Sequence, residues 1–142
     1  MKHAMKNILI VDNDLRFIQW LGRALIGAHQ QPLPACNVSD AMVLVDDSAE
    51  PVDLLIINSY LPHSSDLIDR LHRSQSHLKV LAMGSEPNAK LPHVHAWKRK
   101  RISSSLWKTV RRFFAGEAGD PTGNFFGRKW NCTSRKFRGS DD

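Results

Sequence analysis

The chain alternates short apolar runs with stretches in which apolar residues recur every three or four positions. Asn7 to Val11 is a continuous run of β-branched and apolar residues, the pattern of a strand buried on both faces of a parallel sheet. Asp12-Asn13-Asp14 then supplies turn and helix-capping chemistry. Phe17, Ile18, Leu21, Ala24, Leu25 and Ala28 fall at helical spacing and predict an amphipathic helix from Leu15 to His29, broken by Gln30 to Pro34. Ala35 to Val38 reads as a weak strand, and Ser39-Asp40 as the cap of a helix carrying Ala41, Met42, Leu44 and Val45.

The strongest strand signal is Leu54 to Ile57. A third helix is expected over Asp66 to Ser76, with Leu67, Ile68 and Leu71 inward, and a fourth strand over Lys79 to Met83, closed by Gly84. Val94 to Trp97 is the fifth strand candidate. Ser103-Ser104-Ser105 offers caps for a last helix to Ala115, with Ile102, Leu106, Val110 and Phe113 on one side and Lys108, Arg111 and Arg112 on another. Alternating strands and helices predict a doubly wound α/β fold with a parallel five-stranded sheet. Such folds gather functional groups at the carboxyl ends of their strands, here Asp12, Asn58 and Gly84.

A length of 142 residues suits one domain with a tail: residues 1–115 as the folded domain and 116–142 as a linker followed by a basic-aromatic segment. With no run of about 18 apolar residues, no membrane span is expected. Two distant cysteines, Cys36 and Cys132, fit a reduced cytoplasmic protein better than a disulfide framework. The net charge of +6 is uneven, because Pro87 to Gly116 holds eight Lys/Arg and no Asp or Glu. That imbalance favours an anionic partner or, equally, serves as a solvated face.

Val52-Asp53-Leu54-Leu55-Ile56-Ile57-Asn58-Ser59-Tyr60-Leu61-Pro62 resembles the third strand and following loop of bacterial response-regulator receiver (CheY-like) domains. In that family an aspartate ends this strand and accepts a phosphoryl group. Ile8 to Asp14 resembles the first strand and its acidic cluster, whose two adjacent acids hold a divalent cation. The resemblance runs from about Lys6 to Ala115 and implies a CheY-like, flavodoxin-like fold. It also marks departures. Asn58 stands for the phosphoacceptor and Asn13 for the second acid, leaving Asp12, with Asp14 as a substitute or a helix cap. Gly84, then Ser85, stands where the family has Ser or Thr. Lys98 or Lys100 fills the place of the family's lysine, followed by Arg99 or Arg101 instead of proline. A carboxamide does not attack phosphorus at a useful rate, so these residues imply a degenerate phosphorylation pocket, no catalytic residue, no metal and no cofactor.

Only nine residues, Ser85 to His93, separate the predicted fourth and fifth strands, and two of them are prolines. The helix that receivers place there is therefore expected to be absent or reduced to one turn. Trp97, Arg99, Arg101, Lys108, Arg111 and Arg112, with Lys129, Trp130, Arg135, Lys136 and Arg138 in the tail, are the candidate surface for a partner. Basic residues interleaved with aromatics suit protein docking or nucleic acid. His93 and His95 share a strand face but need a third ligand for a metal, so a structural or solvent-exposed role is preferred. The expectation is a non-enzymatic, phosphorylation-independent regulator that acts as adaptor or scaffold through a protein partner. The alternative is a nucleic-acid-associated transcriptional regulator, and a homodimer is compatible with either.

Overall fold

The computed structural model describes residues 5–48, 50–75, 77–85 and 91–115. The chain divides into two compact units, Met1–Lys100 and Arg101–Asp142. The first contains a parallel five-stranded sheet in the order β2-β1-β3-β4-β5, built from β1 (Asn7–Val11), β2 (Gln31–Ala35), β3 (Leu54–Asn58), β4 (Lys79–Gly84) and β5 (Ala96–Arg99). Its helices are α1 (Leu15–Gly27), α2 (Val38–Asp47) and α3 (Ser64–Ser74).

The strand order reverses after β2, which lies to one side of β1 while β3 and β4 lie to the other. With right-handed crossovers, α1 must then cover one face of the sheet and α2 and α3 the opposite one. Packing agrees with this. Leu9, Val11, Leu55, Ile57, Val80 and Ala82 share a buried cluster with Ala41 of α2 and Leu67, Ile68 and Leu71 of α3. Ile8, Ile10, Ile56 and Leu81 point the other way and are also fully buried. Burial of successive residues on both faces accounts for the unbroken apolar runs.

The second strand is displaced from its expected place: it is Gln31–Ala35, and Val38 begins α2, capped by Asn37. The segment that breaks the helix pattern is therefore itself a strand, despite Pro32 and Pro34. Gln31 donates its N–H to Lys6, and Asp12 donates to the Ala35 carbonyl, so residues 31, 33 and 35 face β1. Pro32 and Pro34 face outward at the sheet edge, where a missing N–H costs no ladder bond. The fifth strand also starts later than expected, at Ala96. Among the described residues no helix lies between β4 and β5.

The second unit is described from Arg101 to Ala115 and contains α4 (Ser104–Ala115). Ser103 Oγ accepts the Leu106 N–H and starts this helix. Its buried residues are Leu106, Trp107, Val110 and Phe114. Phe113, expected inward, is half-buried instead.

Candidate functional site: a pocket closed by an internal ammonium

The carboxyl ends of β1, β3, β4 and β5 converge on Asp12. Its side chain is fully buried, and a buried carboxylate is tolerated only when paired and hydrogen-bonded. Three donors reach Oδ1: the Asp14 N–H at 3.1 Å, Asn58 Nδ2 at 3.2 Å and Lys100 Nζ at 3.2 Å. Oδ2 has no well-directed hydrogen bond, yet it lies 3.1 Å from Lys100 Nζ, a Coulombic contact.

Lys100 follows directly on β5, and its backbone N–H donates to the Gly84 carbonyl at the end of β4. That anchor aims the side chain inward. The ammonium bridges Asp12 and Asp14, lying 3.2 Å from Asp14 Oδ2, and sits 5.4 Å from the centre of the Phe17 ring, within cation–π range. Of the two candidate lysines, it is Lys100 that enters the pocket. Lys98 lies half-buried within β5.

Asp14 has a second task, capping α1 by accepting the N–H groups of Arg16 and Phe17. Partial burial raises its pKa, but the Phe17 bond, the bond and charge of Lys100 and the Arg16 bond together outweigh that. The net effect holds its carboxyl below the ordinary 3.8. Asn13, between the two acids, is exposed.

Asn58 is held at both ends of its amide. Nδ2 donates to Asp12, while Oδ1 accepts the Tyr60 N–H at 2.9 Å. The second bond folds the loop after β3 into an Asx turn and brings Tyr60 back over Gly84. A β-carbon on Gly84 would lie 2.7 Å from Ser59 Oγ and 2.9 Å from Tyr60 Cε2. Glycine is thus required by close approach, and the hydroxyl expected there from the receiver pattern has no room. Ser59 is buried beneath, its Oγ without a hydrogen bond among the described residues, and Tyr60 Oη lies 3.1 Å from exposed Ser85 Oγ.

The structure therefore brings together Asp12, Asp14, Asn58, Gly84 and Lys100. Ser59, Tyr60 and Phe17 complete the pocket. Their signal in the sequence was Gly84 itself, since glycine at a strand end marks a close neighbour. A divalent cation does not suit this set. Mg²⁺ requires hard oxygen ligands with negative charge, and here the ammonium already sits between the two carboxylates. No group of three or more His, Cys, Asp or Glu able to hold a metal occurs among the described residues.

Trp97 is half-buried against the α2–α3 face of the sheet, and Arg99 is exposed on β5. In the second unit Arg101, Lys108 and Arg112 are exposed and Arg111 is half-buried. Lys129, Trp130, Arg135, Lys136 and Arg138 lie outside the described residues. No helix among the described residues is long and apolar enough to cross a membrane.

Comparison with solved structures identifies the fold as that of response-regulator receiver domains. The chemotaxis response regulator CheY4 of Vibrio cholerae matches with a TM-score of 0.65 at 18% identity, covering 78% of this chain and 99% of that one. A CheY-like receiver protein from Methanospirillum hungatei JF-1 gives 0.67 at 16%, over 79% and 95%. The response regulator TrrA of Thermotoga maritima, solved in complex with Mg²⁺–BeF, gives 0.63 at 16%, over 77% and 99%. No protein-family model matches the sequence, and no curated protein matches it.

Proposed function

We propose that this chain is a receiver-like signalling regulator that works without phosphorylation, by binding a protein partner as adaptor or scaffold. One observation carries the reading: the Lys100 ammonium spans Asp12 and Asp14 while the Asn58 amide donates to the same Asp12 oxygen. A single ammonium bridges both acids, the residue in the acceptor position is a neutral amide, and Tyr60 crowds the wall at Gly84. Such a pocket presents an amide rather than a carboxylate at the end of β3, and an amide does not attack phosphorus at a useful rate. Incubation with acetyl phosphate and Mg²⁺, followed by intact mass measurement, should add no phosphoryl group. Incorporation at any pocket residue would overturn the reading. Affinity capture from the native host, with and without nuclease, should then return a specific protein that survives nuclease.

A second reading, association with nucleic acid, is favoured by the exposure of Lys108 and Arg112 on α4 in a stretch devoid of acids. It requires binding that weakens steeply with salt, as neutralised phosphates release counterions. Reversing the charge of Arg111 and Arg112 should abolish that binding, and salt-insensitive or absent binding rejects it.

A further inference from the structure

Away from the pocket, three histidines meet where the connection into β5 passes β4 and α3. His93 has a φ of 56°, a left-handed conformation unfavourable for a residue with a β-carbon. Its ring stacks on that of His72 from α3, with 3.7 Å between centroids and 6° between planes. His93 Nε2 lies 3.7 Å from Asp69 Oδ1, also on α3. Two residues later His95 grips the head of β4 twice. Its backbone N–H donates to the Val80 carbonyl at 2.9 Å, and its ring Nδ1 accepts the Val80 N–H at 3.0 Å. Val80 is fully buried, so water cannot replace that acceptor while the connection stays closed.

We propose that His95, beside the stacked His72–His93 pair, is an acid-operated latch, which holds residues 91–95 and the head of β5 against β4 when its ring is neutral and releases them when that ring is protonated. A ring nitrogen that accepts a hydrogen bond carries no proton. Protonating His95 at Nδ1 sets two N–H donors against each other and orphans the buried Val80 amide. The groups facing His95 add to the strain: Lys79 on β4, His72 on α3 and His93 in the same connection. Asp69 on α3 lies 3.7 Å from His93 Nε2 and is the acid on this side of the connection.

His95 is exposed, so protons reach it freely. Partial burial first, then the charges of Lys79, His72 and His93, lower its pKa from the ordinary 6.5. A lowered value in the closed state means that neutral His95 stabilises closure fully above about pH 6.5, and that this contribution is lost as the pH falls below it. The latch matters because β5 leads directly into Lys100. It stands independently of whether the pocket accepts a phosphoryl group.

Amide hydrogen exchange of the full chain, followed by NMR, tests the latch. Val80 protection is compared with that of Leu9 in β1 at about pH 7.5 and about pH 5.5, after correction for intrinsic rates. In the wild type, Val80 protection should fall relative to Leu9, by up to about tenfold, the most that one linked proton allows per pH unit. In His95→Gln, whose amide oxygen accepts the same bond without titrating, it should stay flat. Flat protection in the wild type overturns the latch, as does an equal loss in His95→Gln. Imidazole nitrogen shifts of the wild type give a separate reading: a protonated Nδ1 on His95 at about pH 7.5 would overturn it without any variant.

Discussion

Asn58 donates its amide hydrogen to Asp12 Oδ1 across 3.2 Å while its own carbonyl oxygen accepts the Tyr60 N–H. A carboxamide, with a donor and an acceptor at its two ends, performs both tasks. A carboxylate could keep the Tyr60 bond, but it would face Asp12 as a second negative charge. The same amide thus ties the end of β3 to the loop that folds over Gly84.

The Asn58→Asp variant should therefore be less stable than the wild type at neutral pH, by about 1–3 kcal/mol, because like charges crowd a desolvated site. Urea denaturation at about pH 7 checks this. The same variant should remain unmodified by acetyl phosphate and Mg²⁺, since Asn13 leaves the cation site short of charge. An Asn13→Asp, Asn58→Asp double variant has more carboxylate to offer. Intact mass would show whether it alone incorporates a phosphoryl group.

Lys100→Met should destabilise the protein by about 2–4 kcal/mol. The fully buried Asp12 loses its counter-charge, while the 23% exposure of the Lys100 side chain keeps the cost toward the low end of the range for breaking buried pairs. Adding Asp12→Asn to Lys100→Met should recover most of the loss. A double-mutant cycle measured by denaturant unfolding isolates this coupling, and simple additivity would refute it.

Gly84→Ser restores the hydroxyl of the receiver pattern but drives a β-carbon into Ser59 and Tyr60. The expected cost is about 1–3 kcal/mol, in the range for overpacking. Tyr60→Ala combined with Gly84→Ser should cost less than the sum of the single changes, because the clash with the ring disappears. Equal costs would mean that Tyr60 does not form that wall.

Asp14 gives a pH-dependent prediction. Its lowered carboxyl pKa means that its contribution is complete above the ordinary 3.8 and is lost as the pH falls through the lowered value. Asp14→Ala removes the cap of α1 and should cost about 1 kcal/mol at neutral pH. Asp14→Ser keeps a capping oxygen without the titration. The stability difference between wild type and Asp14→Ser should shrink between about pH 5 and about pH 2 in urea unfolding series.

Strands buried on both faces declare themselves by composition, so β1, β3 and β4 were legible as apolar runs, and α1 as an amphipathic period. The strand β2 was not. Pro32 and Pro34 look like breakers until the sheet shows that they face its open edge, where their missing N–H groups are harmless. The start of β5 was obscured in the same way, because His95 pairs with Val80 ahead of the regular ladder through a side-chain nitrogen.

By itself the sequence determined the alternation of strands and helices, the strand ends at which Asp12, Asn58 and Gly84 sit, and the neutral side chain at position 58. These follow from local pattern and residue chemistry. Tertiary structure decided which lysine enters the pocket, since Lys100 rather than Lys98 is anchored to the Gly84 carbonyl and aimed at two carboxylates. It also decided why position 84 is glycine, a matter of 2.7 Å from Ser59 Oγ and 2.9 Å from Tyr60, contacts across 25 and 24 residues of chain. Such distances depend on how the strands are registered and how the loops between them turn, and no local periodicity encodes them.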